Sequence, residues 1–427
     1  MGRLYEELVE RERKGQPIGL GLVGVGQMGV DMMAAVRSIP GVYIAAVADL
    51  TVERAVVGFK EAEYSEAEYI IEGQNASAEP RRKAIIVKDP LKVAELSCVE
   101  VVVDATGDPE TGAHLAMNAI HNGKHVVMLN IEADVTVGPI LNRMAQDAGV
   151  VYTGSAGDEP VAIIELIEFV KSVGLQVVAA GKGKNNPLDP DAVPSDLAEE
   201  AAGRGLNPRM LVEFVDGSKT MIEMGAVANA TGLIPDVPGM HGPSINKDQL
   251  NTVLVPASDG GILHNQGVVD FVIGDLAPGV FVVAYTDSPR LRQCLKLRDM
   301  GPGPYYTFIR PYHLCSMETP LSAARAAIFG QADMAFGRTP TVEIIALAKK
   351  DLSPGETIDG IGGYTVRASV IKYEDAKSRN AVPLGLVKGL EVTKPIPKGS
   401  IITHEMVQPR STSLIWNLRK IQDELFR

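Results

Sequence analysis

The amino-acid sequence predicts an α/β fold built on a doubly wound parallel sheet. Three observations carry that expectation. A wholly apolar segment, Ile18 to Val23, runs directly into the glycine-rich turn Gly24–Gly29 and then into a helical stretch. Apolar strand patterns and helical patterns then alternate to about residue 152, the order that lays helices on both faces of a parallel sheet. Glycine is abundant (43 residues) while aromatics make up only 5%, as many tight strand-to-helix turns require.

The first unit follows from local chemistry. Ile18 to Val23 reads as a strand buried on both faces. In Gly24-Val25-Gly26-Gln27-Met28-Gly29, the first glycine permits a tight turn and Gly26 lets the backbone approach a pyrophosphate. Gly29 lets the helix pack closely on the strand. The helix expected over Val30 to Ile39 turns its free N–H groups and positive dipole end toward that phosphate. A second strand, Val42 to Ala48, ends in Asp49, 20 residues after Gly29, where a carboxylate bonds ribose hydroxyls. These parts make a dinucleotide-binding βαβ unit of the Rossmann type, with Gly24, Gly26, Gln27, Met28, Gly29 and Asp49 against the cofactor. Asp49 leans toward NAD, while Arg54 nearby offsets a 2′-phosphate and keeps NADP open. Val99 to Asp104 is a further strand, whose small turn carries Thr106 and Gly107 toward the nicotinamide ribose. Asn130 follows the strand Val126 to Leu129 at a carboxyl end, where ligands bind in this fold. Helices are expected over His114–Asn122 and Pro139–Ala148, and a last strand over Val150–Tyr152. The polar stretch from Tyr64 to Arg82 reads as a surface insertion.

The middle of the chain reads as an α+β catalytic domain with an open sheet. A Gly-rich turn, residues 154–160, leads into an apolar helix and presents Asp158 and Glu159 to substrate, or simply caps the helix. A strand over Gln176 to Ala180 ends in Gly181-Lys182-Gly183-Lys184-Asn185. Lys182, Lys184 and Asn185 there suit an anionic or carbonyl-bearing substrate. Asp216, Lys219 and Glu223 recur at i, i+3 and i+7 and share one face if the helix starts early enough. A lysine between two carboxylates keeps its proton and serves as acid or electrostatic clamp; a surface ion-pair ladder is the plainer alternative. His313 stands beside Arg310 as a substrate contact or a structural histidine. From about Pro340 the texture changes to short strands and Pro-Gly turns, a small β-rich unit. The expected domains are 1–158, completed by a helix near 320–332, then 159–319, then 340–427.

Composition bounds the function. A formal net charge of -12 opposes nucleic-acid binding, and no apolar run is long enough to span a membrane. Cys98, Cys294 and Cys315 are scattered, with neither metal spacing nor a disulfide framework. With a charged amphipathic N-terminus, this points to a cytoplasmic protein, expected as a homodimer or homotetramer acting on a small molecule.

The Val-Val-Asp-Ala-Thr-Gly turn (102–107), the Leu-Asn-Ile-Glu-Ala-Asp run (129–134) and Lys219 resemble homoserine dehydrogenase. There a lysine followed by an apolar helix supplies the catalytic ammonium, with carboxylate partners at the place of Asp216. The chain departs from that family at Glu132, where the family has lysine, and at residues 181–185. It resembles more closely the homoserine-dehydrogenase-like oxidoreductases with a C-terminal SAF domain, nearly end to end. The marks are Ala-Gly-Lys-Gly (180–183), Asp-Gly-Ser-Lys (216–219), Ala-Asn-Ala-Thr-Gly (228–232) and Pro-Tyr-His-Leu (311–314). In the tail they are Leu-Ser-Pro-Gly-Glu (352–356), Gly-Gly-Tyr (362–364), Pro-Ile-Pro-Lys-Gly (395–399) and Glu-Met-Val (405–407). The resemblance implies an NAD(P)-dependent oxidoreductase with Lys219 as catalyst. Some members are 1-deoxyxylulose-5-phosphate reductoisomerase-like enzymes using NADPH. That implies a phosphorylated substrate held by Lys182, Lys184 and His313, and room for a divalent metal among Asp158, Glu159 and Glu223. A dinucleotide-binding sensor without turnover is the alternative from another class.

Overall fold

The computed structural model describes residues 3–73, 83–337, 339–410 and 412–426. The chain forms two compact units. The first comprises residues 1–161, 314–338 and 412–427; the second comprises 162–313 and 339–411. The separate C-terminal domain expected over 340–427 is therefore divided. Its β-rich part joins the second unit, and its last helix joins the first.

In the first unit seven strands form an all-parallel sheet: β1 (Ile18–Val23), β2 (Val42–Ala48), β3 (Tyr69–Ile71), β4 (Ala84–Ile86), β5 (Val101–Asp104), β6 (His125–Met128) and β7 (Tyr152–Gly154). Their order is β3-β4-β2-β1-β5-β6-β7, so the winding reverses between β1 and β5. This is the α/β, doubly wound, Rossmann-type sheet that the strand–glycine–helix pattern predicts. β1 is buried along its whole length, which is why it carries no polar residue. Part of the expected insertion is sheet: Tyr69–Ile71 is the edge strand, paired with β4. Residues 74–82 of that stretch lie outside the described residues.

One helix departs instructively from expectation. It starts at Ile131 rather than Pro139 and runs to Ala148. The Asn130 side chain caps it by accepting the Ala133 N–H, and a good cap outweighs the start that proline signals. Pro139 then lies inside, where proline disturbs the hydrogen-bond ladder. Gln422, from the helix Leu414–Leu425, meets that disturbance. Its Oε1 accepts the Ile140 N–H at 3.1 Å and its Nε2 donates to the Thr136 carbonyl at 3.4 Å, two groups that an unbroken helix joins to each other. Glu110 accepts the N–H groups of Leu414 and Ile415 and the Ser413 hydroxyl, placing negative charge at a helix N-terminus where the dipole favours it.

In the second unit, β8 (Gln176–Lys184), β9 (Ile234–Pro235), β10 (Val268–Ile273), β11 (Val280–Tyr285) and β12 (Tyr305–Arg310) form a mixed sheet in the order β12-β11-β8-β10-β9. β13 (Val342–Ala348) and β14 (Val366–Lys372) make an antiparallel ribbon. The helix Ser218–Thr231 packs on β10 and on both ribbon strands. Asn229 Oδ1 accepts the N–H groups of Thr341 and Val342, and Ser218 Oγ accepts that of Ala368. These bonds, with the apolar helix face, explain why the C-terminal β segment is no separate body.

β8 runs through Lys184 instead of ending at Ala180, because Gly181 and Gly183 serve close packing and not a turn. A Cβ on Gly181 would lie 1.7 Å from the Asp270 carbonyl oxygen, and on Gly183 2.4 Å from the Ala277 nitrogen. Gly181→Ala is expected to destabilise the protein by about 1–3 kcal/mol through overpacking, seen as a lower thermal midpoint. Gly203→Ala, where a Cβ meets nothing within 4 Å, should leave the midpoint unchanged or raised.

Candidate functional site

At the carboxyl end of β1 the chain turns at Gly24, with φ of +98° and only 2.6 Å between a notional Cβ and the Ala105 carbonyl oxygen. No residue but glycine fits there. Gly29 lies against the Gly24 carbonyl, 2.2 Å from a notional Cβ, so the helix approaches the strand closely. Gly26 differs, with nothing within 4 Å of where a Cβ would stand. It is the N-cap of the helix Gln27–Val36, which begins three residues before the expected start and has no side-chain cap. Gly26, Gln27 and Met28 are exposed. Uncapped N–H groups, an open surface and a positive dipole end are what a pyrophosphate needs, so these residues fit a dinucleotide.

Asp49 stands at the end of β2 with its side chain only 6% exposed. It accepts the Val25 N–H at 2.6 Å and the Leu50 N–H at 2.7 Å, and Arg54 lies 3.3 Å away. Asp49 thus fastens the glycine turn, and Arg54 sets an exposed positive charge beside it.

The turn after β5 is organised by a buried carboxyl. Asp104 accepts the Thr106 N–H (2.9 Å) and hydroxyl (2.7 Å) on one oxygen and Asn130 Nδ2 (2.9 Å) on the other. Thr106 is half-buried and Gly107 exposed. Asn130 is fully buried, and its Nδ2 also donates to the Asp108 carbonyl. The expectation that Asn130 touches cofactor is therefore corrected. Its amide is spent joining the ends of β5 and β6 and capping the next helix.

Asp134, one turn into that helix, is 1% exposed and accepts the Tyr152 hydroxyl at 2.5 Å. Burial pushes Asp104 up to about 6 and Asp134 up to about 8. Glu132 and Asp104 add repulsion at Asp134, and the Tyr152 hydrogen bond opposes the rise. Sequence reading missed this group because nothing marks helix residues 132 and 134 as buried once the helix is expected at 139.

Two backbone N–H groups of the turn 154–157 are used internally. Gly154 N–H donates to the Met334 carbonyl and Ala156 N–H to Ser322 Oγ. Gly157 fits against Leu314 and Glu318, fastening the helix Cys315–Phe329, which also packs on Gln27–Val36. Asp158 and Glu159 follow, both buried, with Glu159 opening the helix Glu159–Ser172.

In the second unit Lys182 Nζ meets Glu223 Oε2 at 2.5 Å, with side chains 8% and 1% exposed. Lys184 lies on the same strand face and donates to the carbonyls of Asn186, Pro187 and Phe214. Burial, reinforced by the Lys182 charge, pulls Lys184 down to about 8. Asn185 is exposed and His313 half-buried.

The helix carrying Lys219 begins at Ser218, after Gly217 at φ +84°. Asp216 therefore lies outside the helix, and the expected common face of Asp216, Lys219 and Glu223 is corrected. Asp216 accepts the Ser218 N–H at 2.8 Å and pairs with Lys349 Nζ at 2.6 Å. Lys349, which no sequence signal singled out, also donates to the carbonyls of Ala192 and Gly363. Burial raises the Asp216 carboxyl although Lys349 opposes it. Lys219 is half-buried in the first helical turn, the end at which the dipole disfavours a cation.

Comparison with known proteins places residues 157–319 in similarity to the family Oxidoreductase DRL, catalytic domain. No curated protein matches the chain. Among solved structures, a probable dehydrogenase from Thermotoga maritima is 13% identical with a TM-score of 0.39, covering 63% of this chain and 73% of that one. An NAD binding oxidoreductase from Klebsiella pneumoniae is 17% identical with a TM-score of 0.34, covering 64% of each chain. A myo-inositol dehydrogenase from Corynebacterium glutamicum ATCC 13032 is 11% identical with a TM-score of 0.43, covering 74% of this chain and 90% of that one. Among the described residues no helix is long and apolar enough to cross a membrane.

The buried carboxyl of Asp134 has a consequence for stability. Its ordinary value of 3.8 rises to about 8 in the fold, so between those values the folded chain binds more protons than the unfolded one. The part of stability contributed by this group is then fullest below about pH 4 and is lost as pH rises to about 8. Asp134→Asn, which still accepts the Tyr152 hydroxyl, should remove that part of the decline. Denaturant unfolding of both proteins across this range checks it.

Proposed function

We propose that the chain is an NAD(P)-dependent oxidoreductase that passes a hydride between nicotinamide and a small hydroxy or oxo substrate. The observation that carries this reading is the cradle at the end of β1, an uncapped helix N-terminus with cleared space above Gly26. The similarity of residues 157–319 to an oxidoreductase catalytic domain supports a reaction in addition to binding.

The backbone N–H groups at Gly26, Gln27 and Met28 hold the pyrophosphate, and Gly24 and Gly29 let the turn take that shape. Asp49 faces the ribose hydroxyls, and Arg54 supplies the charge that a 2′-phosphate needs, so the proposal covers NAD and NADP. When bound, nicotinamide supplies the hydride donor or acceptor. Lys219 holds the proton at the substrate oxygen whose charge changes in the transfer. A lysine at a helix N-terminus adds nothing to helix stability, which supports a role toward substrate. The same consideration favours turnover over a sensor that only binds dinucleotide.

The proposal extends to a homoserine-dehydrogenase-like organisation with a SAF-like β segment over residues 339–411. A reductoisomerase acting on 1-deoxy-D-xylulose 5-phosphate calls for anion contacts from Lys182 and Lys184. The pairing of Lys182 with Glu223 and the three carbonyls held by Lys184 weigh against those contacts. Glu223 accordingly positions Lys182, and Asp216 anchors the helix start.

Lys219→Met is expected to lower turnover by roughly 10²–10⁴ while cofactor affinity stays at the wild-type value. Nicotinamide absorbance during a screen of hydroxy acids, polyols and ketose phosphates supplies the substrate and the readout. Wild-type turnover in the variant removes Lys219 from the mechanism.

A further inference from the structure

In the second unit two histidines and an aspartate converge from two stretches of chain, 236–241 and 264, that no sequence motif connects. Asp236 follows β9, His241 lies five residues on, and His264 precedes β10. His241 Nε2 lies 2.7 Å and His264 Nδ1 3.0 Å from the same oxygen, Asp236 Oδ2. The three ligand atoms all fall within 4.8 Å of one another.

We propose that Asp236, His241 and His264 bind a first-row divalent transition metal ion, zinc by ligand type. Two imidazole nitrogens and one carboxylate oxygen suit Zn²⁺ and its neighbours, whereas Mg²⁺ and Ca²⁺ take oxygen ligands. Zinc bonds of about 2.0–2.1 Å at tetrahedral angles set ligand atoms roughly 3.3 Å apart. The two aspartate–histidine spacings need to open by roughly 0.3 and 0.6 Å to reach that value. Three protein ligands leave the fourth position to water, as in zinc sites that remain open.

The surroundings hold the ligands in place. The Asp236 side chain is fully buried and accepts the N–H groups of His264 and Asn265 and the Asn265 amide. On the other side the buried Asp270 accepts the N–H groups of His241 and Gly242 at 3.2 and 2.9 Å. Such outer partners orient ligands and raise metal affinity. The rings of His241 and His264 stack at 6.1 Å. Their side chains are 18% and 68% exposed, which gives an ion its entry path. Both rings aim at one oxygen that also accepts a backbone N–H, so three donors crowd a single acceptor. A cation at the centre replaces two of those contacts with bonds.

This site is independent of the hydride-transfer reading, and its test needs no substrate. The full chain is stripped with chelator and titrated with Co²⁺, followed by visible d–d absorption, and with Zn²⁺ in competition. The expected result is saturation at one equivalent, a tetrahedral cobalt spectrum without a thiolate charge-transfer band, and displacement by Zn²⁺. His264→Ala, a change at an exposed side chain, should abolish the spectrum while circular dichroism and thermal midpoint stay at wild-type values. His241→Gln should do the same. Absence of cobalt uptake, a thiolate band, or an unchanged spectrum in His264→Ala overturns the assignment.

Discussion

The first unit depends on one close approach, that of the backbone at Gly24 to the Ala105 carbonyl across the switch between β1 and β5. A side chain at Gly24 would force the two strand ends apart. A side chain at Gly29 would lift the helix Gln27–Val36 off the turn. With both small, the helix N-terminus is held at the strand end where the winding of the sheet reverses, the place where open α/β sheets bind ligands. Asp49 and Asp104 then brace the turns on either side. Asp49 fixes the Val25 N–H and Asp104 fixes Thr106 and Asn130. Asp49 acts chiefly on backbone, whereas Asp104 ties one backbone N–H to the side chains of Thr106 and Asn130.

The second unit is organised by the helix Ser218–Thr231 and two buried ion pairs. Removing charges from water is costly, and a buried pair recovers the cost only with good geometry and further hydrogen bonds. Lys349 meets that condition through two carbonyls besides Asp216. Together these bonds fix the start of the helix, and with it the half-buried Lys219. The lysine proposed for the reaction is thus positioned by the same network that binds the C-terminal ribbon into this unit.

Much of the first unit was legible from residues alone. β1 and β2 fall at the expected residues because uninterrupted apolar runs between glycine turns admit few other readings. The glycine cradle was legible for the same local reason. What escaped depended on partners distant in sequence. Asp216 looks like a member of a helical face until Lys349 is known to claim it. Lys182 and Lys184 look like a substrate-facing pair until β8 is seen to continue through them. Asn130 looked like a ligand contact because capping by its side chain moves the helix start by eight residues. Asp236, His241 and His264 carry no recognisable spacing, since the segment between β9 and β10 brings them together only in the folded chain.

Direct titration tests whether the end of β1 holds a nicotinamide dinucleotide, without knowledge of substrate. Nicotinamide fluorescence is followed as the full chain is titrated with NADH and, separately, NADPH. Saturable binding of at least one of them, one per chain, is expected. That binding should be lost in Gly26→Val, where the added side chain fills space that is open in the fold, with an unchanged thermal midpoint. Failure of both dinucleotides to bind, or equal affinity in the variant, would contradict dinucleotide binding at the end of β1.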